Sequence, residues 1–181
     1  ADQLANQLFG AMDTLSQQEP AQIGSYSRGC AAGMVELPEC GPVWQAMRLS
    51  RNRNWGHPDL VKFLERFAAQ IPKTGWTGLL VGDMAQARGG PMLTGHASHQ
   101  IGLDADIWLT PMPKRELTRA EREEMSATDM VRADKRDIDP SVWTPQHVAL
   151  IRAAAEAPEV ERILVNAAIK KALCRDAAGN R

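Results

Sequence analysis

At 181 residues the chain is long enough for one globular domain with a real core, and a hydrophobic content of 44% argues against disorder throughout. Its 21 basic and 22 acidic side chains leave a formal net charge of −1, which speaks against a nucleic-acid binder working through a broad basic field. No apolar run approaches the roughly 20 residues of a membrane span, and the three cysteines (Cys30, Cys40, Cys174) lack the CxxC spacing of a cysteine zinc site.

In chain order, residues 1–9 can form a short helix, and residues 20–42, rich in Gly, Pro and Ser, read as irregular. Residues 43–49 fit a strand. Gly56-His57-Pro58 opens a clear helix, with Pro58 suited to its first turn and His57 read as a hydrogen-bonding residue at the helix start. Leu60, Val61, Leu64, Phe67, Ala68 and Ile71 recur at helical offsets and predict one buried face. The run 78–81 reads as a buried strand and 83–102 as a long loop, a length that inside a compact domain is usually functional. Residues 104–109 alternate and read as a strand. Thr118-Arg119-Ala120-Glu121 is a capping-box pattern opening another helix, although the charged stretch 114–124 as a whole reads as a solvated face. A loop over 129–141, a helix from Thr144-Pro145 to about residue 155, a strand over 160–165 and a last helix capped by Asn166 and running through Leu173 complete the reading. The mixture predicts an α+β fold, a mainly antiparallel sheet with flanking helices. The five tryptophans read mainly as core or cleft walls, Trp108 among the latter.

The chemistry concentrates in Gly95-His96-Ala97-Ser98-His99-Gln100-Ile101-Gly102-Leu103-Asp104-Ala105-Asp106. On an extended segment Asp104 and Asp106 project from one face while Ala105 and Ile107 point to the core. Gly102 permits a turn, so His99 and Asp106 can converge on one cation. Imidazole nitrogen and carboxylate oxygen are natural zinc ligands, though they also accept manganese or iron. The plain alternative is a set of solvated polar residues on a surface turn.

The block 95–107 resembles the signature of the MepA-type penicillin-insensitive murein endopeptidases, within the wider group of lysostaphin-type enzymes, D-Ala-D-Ala metallopeptidases and the sonic hedgehog fold. Residues 23–30, 56–61, 82–84, 89–90, 165–170 and 173–174 match in the same order, so the similarity runs from about residue 22 to 176. The resemblance implies a single metallopeptidase domain preceded by an extension over residues 1–21, with a zinc site in a cleft on the sheet. It implies zinc held by His99, Asp106 and a histidine of a C-terminal His-x-His motif whose first histidine helps activate water. It further implies a second metal with His96 and Asp134 as ligands; Asp137 falls where the family has a histidine. The substrate implied is the D-alanyl–diaminopimelyl cross-link of peptidoglycan, and the compartment the periplasm. A start at Ala1 rather than Met suits a processed, exported protein, and equally a trimmed chain.

The His-x-His motif is not among these residues, and neither His57 nor His147 lies in a pattern that replaces it. The expectation is therefore a C-terminal fragment of the same protein as partner, nicked or lost; a homodimer is left open. The resemblance pairs the equivalents of Cys30 and Cys174 with cysteines beyond residue 181; Cys40 has no counterpart. A Lewis-acidic zinc would activate water for attack on a peptide carbonyl without a serine nucleophile, so β-lactams should not inhibit it. Asp104 can orient His99 or serve as a turn carboxylate. Arg88 can meet a substrate carboxylate or stay solvated. The rival reading is an inactive, metal-bearing homologue that binds peptidoglycan or a partner protein.

Overall fold

The computed structural model describes residues 4–178 as an α+β arrangement of small, mostly antiparallel sheets with flanking helices. Helix α1 (Ala5–Gly10) accounts for the predicted N-terminal helix, whose first three positions lie outside the described residues. The region 20–42 is more ordered than its composition suggested. Strands β1 (Ala21–Ser25) and β2 (Arg28–Ala32) form an antiparallel hairpin that turns through Tyr26-Ser27, with Ser25 opposite Arg28. Most of β1 is solvent-exposed, so no apolar alternation marked it in the sequence. Strand β3 (Val35–Glu36) pairs with β6 (Trp55–Gly56).

The third sheet has the order β4 (Cys40–Gly41), β5 (Trp44–Ala46), β7 (Leu79–Val81). The strand expected over 43–49 is shorter because Arg48 turns left-handed at φ 57° and enters the 3-10 turn Leu49–Arg51. β5 and β7 run parallel, an exception to the antiparallel expectation. Parallel neighbours need a long crossover, and helix α2 (Pro58–Gln70) lies within it. His57 caps α2 by accepting a hydrogen bond at Nδ1 from Asp59 N–H, 3.0 Å away. Val61, Leu64, Phe67 and Ala68 bury the predicted face, and Ile71 continues it in a 3-10 turn.

β7 is covered on both sides. Leu79 and Val81 join the main core with Trp44, Phe67 and Leu150, while Leu80 packs among Met47, Met112 and Leu117. That is why the sequence shows an unbroken apolar run rather than alternation. Beyond its edge, residues 104–109 form one bridge rather than a regular strand, Val81 opposite Ile107. Three hydrogen bonds still hold them to β7 and its continuation: Gly82 N–H to Asp106 O at 2.8 Å, Asp106 N–H to Asp83 O at 2.9 Å and Trp108 N–H to Leu80 O at 3.0 Å.

Helix α3 (Arg119–Glu124) begins at the predicted capping box, with Thr118 and Glu121 exchanging both bonds. Its face is not wholly solvated. Arg122 is 2% exposed, because its guanidinium donates to the carbonyls of Leu117 and Glu39. Helix α4 (Pro145–Glu156) matches expectation, and helix α5 (Ala167–Ala178) starts as expected, Asn166 Oδ1 accepting from Ala168 N–H at 2.9 Å, but runs past its expected end at Leu173. The strand expected over 160–165 does not form. No strand pairs with it among the described residues, and its apolar side chains edge a groove instead, Leu164 being 86% exposed. No helix among the described residues is long and apolar enough to cross a membrane.

Candidate metal centre

The backbone around His99 is bent to present its imidazole. His99 adopts a left-handed conformation, φ 63°, rare for a residue with a Cβ. Gln100 holds that bend: its side chain accepts from Gly29 N–H and donates to the carbonyls of Ser27 and Ala97. Gly102, at φ 70°, makes the turn read from the sequence. A Cβ there would stand 2.3 Å from Met34 Sδ and 3.1 Å from His57 N. The hydrogen bond from His57 N–H to Gly102 O, at 2.8 Å, then ties this turn to the start of α2.

His96, His99 and Asp106 form one group whose donor atoms all lie within 4.8 Å of one another. His99 is 2% exposed, and neither of its ring nitrogens completes an aligned hydrogen bond. Nδ1 lies 3.0 Å from Asp104 Oδ2, and Nε2 lies 3.6 Å from Asp106 Oδ1. His96 Nε2 lies 3.5 Å from Asp106 Oδ2 and 3.3 Å from Asp83 Oδ2. Two ligand atoms at the corners of a tetrahedral zinc site, each about 2.1 Å from the ion, are about 3.4 Å apart. The separations to Asp106 are thus long for hydrogen bonds and suited to sharing a cation. The donor set fits a divalent metal.

Electrostatics points the same way. Burial disfavours protonated His99 most strongly, but the pull of Asp104 and then Asp106 outweighs it, and the pKa of the metal-free imidazole is pushed up to about 9. Burial likewise works against the charge of Asp106, yet His99 and then His96 hold its pKa below the ordinary carboxylate value. Two acids drawn to one buried imidazole mark a locus of negative potential that a metal would neutralise by displacing the proton.

Asp83 belongs to this centre and was not singled out from the sequence as a functional side chain. Its Oδ2 accepts from Nη1 of both Arg51 and Arg53, at 3.0 and 2.9 Å, while facing His96. Gly82 beside it leaves room for close packing, since a Cβ there would come within 2.7 Å of Trp108 Nε1. The structure does not bring the other named residues here. Asp134 pairs with Arg132 and caps Arg136 N–H. Asp137 is clasped by Lys171 and Arg175. Arg88 donates from Nε to Thr14 O, at 3.2 Å. Cys30, Cys40 and Cys174 are free thiols among the described residues. His147 is buried elsewhere, bonded to Leu109 O at 2.8 Å and packed against Trp76 and Trp143.

Two cavities meet at Asp106 and Trp108. One is a groove of about 1040 Å³, walled by α2, α4 and the 159–165 segment, with His99 and Asp104 on its margin. The other is a pocket of about 260 Å³ lined by Arg48, Arg51 and Asp83 as well as His96. Trp108 therefore lines a cleft, as its position suggested.

Comparison with known proteins agrees with these features. The family model described as penicillin-insensitive murein endopeptidase matches residues 22–181. The chain is 45% identical to the protein of that name from Klebsiella pneumoniae subsp. pneumoniae over 159 residues, covering 88% of this chain and 58% of that protein. The Haemophilus influenzae protein of the same name is 43% identical over 161 residues, covering 88% and 55%. The chain spans little more than half the length of these relatives. A match over nearly all of this chain, with the His96–His99–Asp106 group inside it, places the chain in the penicillin-insensitive murein endopeptidase family.

Proposed function

We propose that this chain carries the metal-binding part of a zinc-dependent endopeptidase that hydrolyses D-alanyl–diaminopimelyl cross-links of peptidoglycan in the periplasm. The observation that carries the reading is the buried Nε2 of His99, which lacks an aligned hydrogen-bond partner and faces Asp106 across 3.6 Å. The names of the relatives support the substrate class.

In this reading His99 and Asp106 hold the catalytic zinc, and the family's His-x-His segment, which these residues do not contain, completes the set and supplies the base. Zinc, when bound, supplies Lewis acidity that lowers the pKa of water and offsets charge developing on the substrate carbonyl. Asp104 accepts from the backbone N–H of His99 and lies 3.0 Å from Nδ1, an ion-pair contact that leaves Nε2 to face the ion. Asp83, braced by two arginines, positions His96 in the same way. His96 joins the catalytic group here; a second ion on His96, Asp134 and Asp137 would require those carboxylates to leave their present cationic partners. Extended peptide lies along the groove, across Asp106 and towards the smaller pocket.

The test couples metal analysis with muropeptide mass spectrometry. His99→Ala and Asp106→Ala should each lose zinc on equilibrium dialysis and, in a protein with the ligand set complete, stop conversion of cross-linked dimers to monomers. Undiminished conversion by His99→Ala would overturn the assignment.

A further inference from the structure

Two arginines line the pocket beside the donor group, together with Asp83 and Asp106, and hydrolysis itself does not account for them. Arg48 and Arg51 line it, with Trp108 forming one wall. One buried oxygen of Asp83 accepts from both Arg51 and Arg53, so it can neutralise only one of them. Arg53 is nearly buried and also donates to Thr94 O, whereas Arg51 is 44% exposed and its guanidinium makes no hydrogen bond besides that to Asp83 among the described residues. Arg48 lies over the Trp108 ring at 5.8 Å and is held by a hydrogen bond to Met125 O at 2.8 Å. Glu123, the acid that α3 places near both arginines, offsets part of their charge but spends its hydrogen bonds on Ser50 N–H and Oγ–H at 2.6 and 2.8 Å, so it pairs directly with neither guanidinium. A guanidinium with free donors next to an apolar wall suits a planar carboxylate taken bidentately.

The backbone is spent on this placement. Arg48 and Asn52 both adopt left-handed conformations, φ 57° and 49°, on either side of the turn Leu49–Arg51. Such conformations persist only where packing fixes them. Here the double bend delivers Arg48 and Arg51 to the same pocket.

We propose that this pocket binds a free α-carboxylate of the substrate, carried on the carbon attached to the scissile nitrogen, with Arg51 as principal contact and Arg48 as support. The proposal rests on the murein reading and narrows it. In a D-alanyl–diaminopimelyl link the scissile nitrogen sits on a carbon that bears a carboxylate. In a link made through a lysine side-chain amine that carbon is an unsubstituted methylene. Because the pocket shares Asp106 with the groove, a peptide crossing the metal-binding group would deliver that carboxylate to Arg51. Arg51 is thus a specificity-determining residue.

The probe is a non-cleavable D-alanyl–diaminopimelate analogue with the scissile amide reduced, compared with the same compound amidated at that carboxylate. Calorimetry on the zinc-loaded chain should find the acid bound about tenfold or more tighter than the amide. Arg51→Gln should remove that preference, weakening the acid at least tenfold more than the amide, while zinc stays bound because Arg53 still braces Asp83. Equal binding of acid and amide by the wild-type chain overturns the subsite without needing any variant. Equal loss of both ligands in Arg51→Gln, or loss of zinc, assigns Arg51 a structural role and overturns it too. If neither compound binds while zinc does, the murein reading fails and the subsite with it.

Discussion

Asp104 illustrates how much one carboxylate does for a neighbouring imidazole. Its Oδ2 faces His99 Nδ1 at 3.0 Å and also accepts from His99 N–H at 3.3 Å, so side chain and backbone are held by one group. Asp104→Asn should keep the fold and weaken zinc roughly 10- to 100-fold, measured by competition with a chelator. Asp83 is more costly to lose, because Arg53 would remain nearly buried without its counter-charge. Asp83→Ala should destabilise the chain by roughly 3 kcal/mol in chemical denaturation. The two residues differ in how they could be found. His96, His99, Asp104 and Asp106 lie within eleven positions and announce themselves by proximity. Asp83 meets Arg51 and Arg53 across about thirty, brought together by the β5–β7 pairing and by the Trp55–Ala85 bridge beside it, where Met84 N–H also bonds to Arg53 O.

Elements show where pattern reading holds. α2 was legible because one amphipathic face packs against one core. The β1–β2 hairpin was not, because β1 is mostly exposed and Ala31 alone of the pair is fully buried, and the apolar 160–165 segment suggested a strand that finds no partner among the described residues. Gly102 was read correctly because a turn had to separate two sets of ligands. Gly102→Ala should cost roughly 1–3 kcal/mol from its φ of 70° alone and should weaken zinc as His99 shifts, both seen in paired denaturation and titration. At the start of α4, His147 accepts from Thr144 N–H at Nδ1 and so donates from Nε2 to Leu109 O. Burial holds its pKa below the ordinary value, outweighing the hydrogen bonds to Leu109 and Thr144. The unfolded imidazole takes a proton near pH 6.5 while the folded one resists until lower pH. Stability from this site is therefore complete above about pH 6.5 and falls as pH drops through the folded pKa. His147→Phe should flatten that part of the melting temperature–pH curve between pH 7 and 5.

For the molecule as a whole, the proposed function couples metal to fold. Zinc at a hundred times its dissociation constant should stabilise the chain by about 2.7 kcal/mol, raising the melting temperature by about 5–10 °C for a domain of this size. A chelator should reverse this, as scanning calorimetry would record. The segment 102–109, which carries Asp106, is moored at both ends to helix starts, by Gly102 to His57 before α2 and by Leu109 to His147 in α4. Amides such as those of Asp106 and Trp108 should therefore exchange with deuterium only when the entire domain opens. Metal release would then follow global unfolding instead of local fraying, and weakening a remote core contact such as that of Trp76 with His147 would shorten the residence time of an ion it never touches.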